Sequence, residues 1–87
     1  SVTITGSDYG WIQAKAPAGA TCTATADADG SQISDPNLGA PQTAGADGVL
    51  QWRYQQQGER SGTGHNIVTC TLGPASGSAT NEFNVGN

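Results

Sequence analysis

The chain has 87 residues, 34% of them hydrophobic and 11% charged, with a formal net charge of −4. Lys15, Arg53 and Arg60 are its cations, too few for a nucleic-acid backbone or an anionic membrane surface, both of which are gripped by clustered Lys and Arg. No apolar run approaches the roughly 20 residues that span a bilayer, so neither nucleic acid nor membrane insertion is expected. What remains is a small domain with a thin, Ala-rich core, the size at which a covalent staple becomes useful. No charged n-region and apolar h-region open the sequence. A secreted form would therefore have lost its targeting peptide or come from a larger precursor.

Gly and Pro recur, β-branched residues alternate with small ones, and no segment carries a helical period, so the expected class is all-β. In "SVTIT" Val2 and Ile4 share a face, and "GSDYG" (6–10) reads as a turn. "WIQAKA" then sets Ile12, Ala14 and Ala16 against Trp11, Gln13 and Lys15. After the turn "PAG", the strand "ATCTATA" points Ala20, Cys22, Ala24 and Ala26 one way and Thr21, Thr23 and Thr25 the other. The stretch 27–48 is the least patterned; it is expected to hide one or two short strands around Ile33 and Leu38. "VLQWRYQQQ" follows the turn "ADG", placing Leu50, Trp52 and Tyr54 inward and Gln51, Arg53 and Gln55 outward. "GERSGTG" (58–64) reads as a hairpin loop, and His65 opens the next strand. There Val68, Cys70 and Leu72 share the inner face. Beyond "GPASGS", the last strand turns Phe83 and Val85 inward.

Both cysteines fall on the small-apolar side of a strand. With no CxxC and one His, they suit a disulfide rather than a metal site. Two inward cysteines far apart in sequence suggest a bridge across the two sheets of a sandwich. A bridge of that span would stabilise by about 4 kcal/mol in the chain-entropy model and implies an oxidising compartment.

The succession "GATCTATA", "ADGVLQWRY", "NIVTCTLG" and "GSATNEFNV" resembles the immunoglobulin-like domains of bacterial secreted and cell-wall proteins. The resemblance covers residues 1 to 86. It implies a Cys22–Cys70 bridge from an early strand to the penultimate one, a turn at Asp47–Gly48 leading into a Trp52 strand, and closure on Phe83 and Val85. It implies a single immunoglobulin-like β-sandwich domain over residues 1–87, with one inter-sheet disulfide. It transfers no catalytic residue or cofactor, since such domains serve as adhesion, spacing or ligand-binding modules, outside the cell or in its envelope. Antibody-type domains place the core Trp soon after the first Cys; here none lies between Cys22 and Trp52.

Few residues suit chemistry. His65 is the sole histidine, no G-x-S-x-G elbow accompanies it, and it reads as an exposed loop-edge residue, so an enzyme is not expected. "DADGS" (27–31) begins like a calcium loop but has Leu38 where the twelfth-position Glu belongs. It reads as a turn, the alternative being an irregular calcium site from Asp27, Asp29 and Asp35. The triplet Trp52-Arg53-Tyr54 also occurs in small bacterial α-amylase inhibitors, but strand alternation turns Arg53 away from both aromatics. Trp52 is the expected core anchor, its indole N–H in need of a partner. Trp11 faces out beside Gln13 and Lys15, where it packs over an edge or plugs the end of the sandwich, the alternative being a ring that stacks on a sugar or anchors a neighbouring domain. With Tyr9, Lys15, Gln51, Arg53 and Gln55 it forms the candidate surface for a protein or glycan ligand, or for adjoining domains of the same chain. The alternative function is a small secreted binding protein, such as an α-amylase inhibitor or a carbohydrate-binding module.

Overall fold

The computed structural model of the chain describes residues 2–28, 30–55 and 62–85. Its elements in order are β1 (Thr3–Asp8), β2 (Trp11–Lys15), β3 (Thr21–Ala28), β4 (Ser31–Gln32), α1 (Pro36–Gly39), β5 (Gln42–Thr43), β6 (Val49–Arg53), β7 (Gly62–Leu72) and β8 (Ala75–Val85). Two antiparallel sheets result, one with strands in the order β1–β2–β6 and one in the order β4–β3–β7–β8, with β5 also on β3. The expected all-β, sandwich-like class is therefore observed.

Alternation sets the interior. On β2 and β6 it buries Ile12, Ala14, Leu50 and Trp52; on β3 it buries Cys22, Ala24, Ala26 and Ala28. These join Val68, Cys70 and Phe83 in one cluster. Since β3 offers only small side chains, Trp52, Ile12 and Leu50 from the other sheet fill the space, large against small. Trp52 is 1% exposed, the anchor expected of it. Its Nε1, however, has no hydrogen-bond partner among the described residues.

The disulfide joins Cys22 and Cys70 as expected, but it does not cross between the sheets. The two residues are direct cross-strand partners on β3 and β7 of one sheet, with Cα atoms 4.0 Å apart. Alternation says only that a side chain points inward; whether two inward cysteines face each other or stand side by side is decided by register. The ladder makes theirs a narrow pair. Ala20 and Ala26 carbonyls accept from Ala44 and Ile33, so even-numbered groups of β3 point away from β7, and Cys22 lies opposite Cys70 without mutual backbone bonds.

Other expectations shift by a few residues. The turn placed at 6–10 shrinks to Tyr9–Gly10, because β1 continues to Asp8 through a bulge at Thr5, where the partners step from Ile4↔Ala14 to Gly6↔Gln13. Short strands do occur in 27–48, but Leu38 sits in α1. That turn is specified by "DPNLG": Asp35 caps it through Asn37 N (2.9 Å) and Pro36 opens it. Leu72, expected inward, is 43% exposed, since it ends β7 beyond the sandwich. β8 starts at Ala75, within the expected connector. Of the expected 58–64 loop, residues 58–61 lie outside the described residues, as does Asp29; Gly62–Gly64 already belong to β7.

The sheets are also tied by polar contacts. Asn66, fully buried on β7, accepts from the Tyr54 hydroxyl at 2.6 Å and donates to the Asp8 carbonyl at 3.0 Å. Burial pushes the Tyr54 phenol up from its ordinary value. At the β8 end, Asn81 Nδ2 donates to Ser7 Oγ at 2.5 Å. No helix among the described residues is long and apolar enough to cross a membrane.

Candidate functional site

The outer face of β1–β2–β6 gathers most of the proposed surface residues. Register places Asp8, Trp11 and Arg53 in one cross-strand row, Gly6, Gln13 and Gln51 in the next, and Thr3, Lys15 and Val49 in a third. Trp11 and Gln13 are half-buried while Lys15, Gln51 and Arg53 are exposed. Gly6 seats Trp11: a Cβ on residue 6 would lie 3.1 Å from the indole Cη2 and 3.2 Å from Cζ3. A bare backbone on β1 thus lets the ring lie across the strand.

The segment 35–42 fixes the far edge of this face. Gln42 Nε2 donates to the Gln51 carbonyl at 2.7 Å and Asn37 Nδ2 to the Arg53 carbonyl at 3.1 Å. Asp35, besides capping α1, accepts from Gln55 N at 3.0 Å. These backbone bonds hold the Asp35 carboxyl below its usual range, the Gln55 contact contributing most. Gln51 and Arg53 therefore stand on a strand whose outward carbonyls are already satisfied, with their side chains free to meet a ligand. Sequence reading missed Asp35, Asn37 and Gln42 here. The "DPN" cap was the available signal, but nothing in it told which strand it would dock on.

Tyr9 does not join this surface. In the β1–β2 turn, its ring stacks on Phe83 (centroids 5.5 Å apart, planes at 11°) and lies 6.3 Å from Tyr54. It closes the end of the core instead of standing beside Trp11, because the chain turn at Tyr9–Gly10 departs from the alternation that links Trp11 to Gln13. The triplet at 52–54 is split as well: Tyr54 is 7% exposed and Trp52 still less, leaving Arg53 alone outside. The three side chains are not presented together.

A second polar cluster lies on the outer face of the other sheet. Asp27, His65 and Glu82 are direct partners across β3, β7 and β8. His65 Nδ1 is 2.9 Å from Asp27 Oδ1 and Nε2 is 3.3 Å from Glu82 Oε2. The Asp27 hydrogen bond, above all, raises the His65 pKa from its ordinary value. His65 therefore stands within a strand, held between carboxylates, and not at a loop edge as its sequence neighbours suggest. A carboxylate at each ring nitrogen favours the protonated form of the ring, and no group of three His, Cys, Asp or Glu poised for a metal occurs among the described residues. Of the alternative calcium ligands, Asp27 is turned to His65 and Asp35 to backbone amides, while Asp29 lies outside the described residues.

Comparison with known proteins finds no matching family model, no matching curated protein and no matching solved structure.

Proposed function

We propose that this chain is a non-catalytic, extracellular immunoglobulin-like module that acts by recognition, using the outer face of β1–β2–β6 to bind a glycan. The observation that carries the proposal is the Trp11 indole lying over Gly6, with Arg53 beside it across the strands and Gln13 and Gln51 in the next row. An indole offers an apolar surface to the C–H side of a sugar ring, and planar amide and guanidinium groups around it pair with hydroxyls. The disulfide fits an oxidising, extracellular setting.

The immunoglobulin-like reading rests on pairing order. The sets β1–β2–β6 and β3–β7–β8 correspond to the A–B–E and C–F–G sheets of that fold. On this correspondence the bridge joins the C and F positions, where antibody domains join B and F, and Trp52 sits on the E position. The sequence resemblance to bacterial secreted and cell-wall modules points to the same setting. Adhesion or attachment of a larger secreted protein is the role such a face serves.

The test is binding to an array of bacterial and plant polysaccharides, comparing the native domain with Trp11→Ala and Arg53→Ala. Binding that both substitutions abolish, with melting temperatures retained, is the expected result. An array on which the native domain binds nothing, or on which Trp11→Ala binds equally well, refutes the proposal.

A further inference from the structure

Sheet edges present unpaired backbone donors and acceptors, and proteins that stay apart protect them by sealing, bulging or shortening the edge strands or by placing charge and Pro there. Three kinds of protection appear in this domain. The outward carbonyls of Gln51 and Arg53 on β6 accept from the Gln42 and Asn37 side chains, and the flanking Val49 and Gln55 amides donate to Asp47 and Asp35. β1 carries the bulge at Thr5. β4 and β5 are two residues long each.

Among the described residues, β8 has none of these. It runs 11 residues, Ala75–Val85, pairs on one side with β7 alone, and contains no Pro, no Lys or Arg, and a single Glu. The ladder identifies its free groups. Because Cys22 and Cys70 form a narrow pair, Cys70 bonds towards Gly77, its partner on β8. Odd-numbered backbone groups of β8 therefore face β7, and those of Ser76, Ser78, Thr80, Glu82 and Asn84 face outward. None of these five has a backbone partner outside the strand ladders among the described residues, and their side chains are exposed.

We infer that β8 pairs with β8 of a second copy, antiparallel about a twofold axis at Thr80, continuing the larger sheet through the dimer. The strand is self-complementary in this register. Thr80 meets Thr80, Ser78 meets Glu82, and Ser76 meets Asn84, so no like charges are opposed and hydroxyls face hydroxyls or acceptors. Glu82 is further offset by His65 on its own sheet. The axis of an antiparallel pair is normal to the sheet, so both Trp11 faces look the same way. Two weak sites then act together on a repetitive ligand, whatever that ligand is.

Sedimentation equilibrium over concentrations up to about 1 mM, the weak limit of useful association, tests the inference without any ligand. The native domain is expected to form dimers, and Thr80→Lys, which opposes two cations at the axis, to be monomeric with an unchanged melting temperature. Thr80→Pro is expected to behave likewise, since an outward amide is where an edge strand tolerates Pro. A native domain that stays monomeric throughout, or a Thr80→Lys variant that dimerises as the native domain does, overturns it.

Discussion

The Tyr54–Asn66–Asp8 bridge between the sheets admits a quantitative test. Tyr54→Phe removes the hydroxyl that Asn66 Oδ1 receives at 2.6 Å and leaves a fully buried acceptor unpaired, which costs about 1–3 kcal/mol. Asn66→Ala removes that bond and the 3.0 Å bond to the Asp8 carbonyl. Two orphaned groups and a small void place its cost at about 3–5 kcal/mol. The Tyr54 hydroxyl, already 3.5 Å from the Asp8 carbonyl, can turn to that oxygen and recover part of this. The double variant should then be less destabilised than the sum, by a coupling of about 1–2 kcal/mol. Urea denaturation followed by Trp fluorescence gives all four stabilities. In thermal terms each kcal/mol should appear as about 4–8 °C in a domain of this size. Additivity within about 0.5 kcal/mol would mean that the two side chains do not act as one bridge, and the argument fails.

The remaining expectations concern charge, the staple and the close contacts. His65 has its pKa raised in the fold by Asp27 and Glu82, so its stabilising contribution is present below the unfolded value near 6.5 and is lost as pH rises through the folded value; the urea midpoint should fall over that window in the native domain and stay flatter in His65→Gln. Asp35 has its pKa lowered, so its contribution is present above the unfolded value of 3.8 and lost as pH falls through the folded value, a slope that Asp35→Asn should remove. Reducing the Cys22–Cys70 bridge, which spans 48 residues, should lower stability by about 4 kcal/mol in the chain-entropy model, read as the shift in denaturant midpoint with and without reductant. Gly64→Ala should destabilise by about 1–3 kcal/mol, because the new Cβ would run into the Phe83 ring and fall 2.6 Å from the Asp27 carbonyl; the melting temperature reports it.

Much of the fold was legible because a strand's side chains alternate. Residues 11–16, 20–26 and 49–54 each declared which side was apolar, and the structure buries those sides. The same rule separated Arg53 from its aromatic neighbours and set Trp11 with Gln13 and Lys15. It failed where the chain leaves the strand period. Tyr9, in a turn, folded onto Phe83; Leu72, at a strand end, lost its cover; and the four-residue helix at Pro36–Gly39 was too short to show a period, although its cap was written in Asp35 and Pro36. His65 was misjudged because its surroundings come from strands 38 residues before it and from β8 after it.

Local periodicity and composition were enough for the class, for the inward faces within the regular strands, for the bonded pair of cysteines and for the shortage of cations. Tertiary structure decided what is non-local. Strand register placed Cys22 beside Cys70 in one sheet, lined up Asp27, His65 and Glu82, and brought Asp35, Asn37 and Gln42 to the edge of β6. Register depends on which strands meet and at what offset, and alternation, which repeats every two residues, carries no record of either.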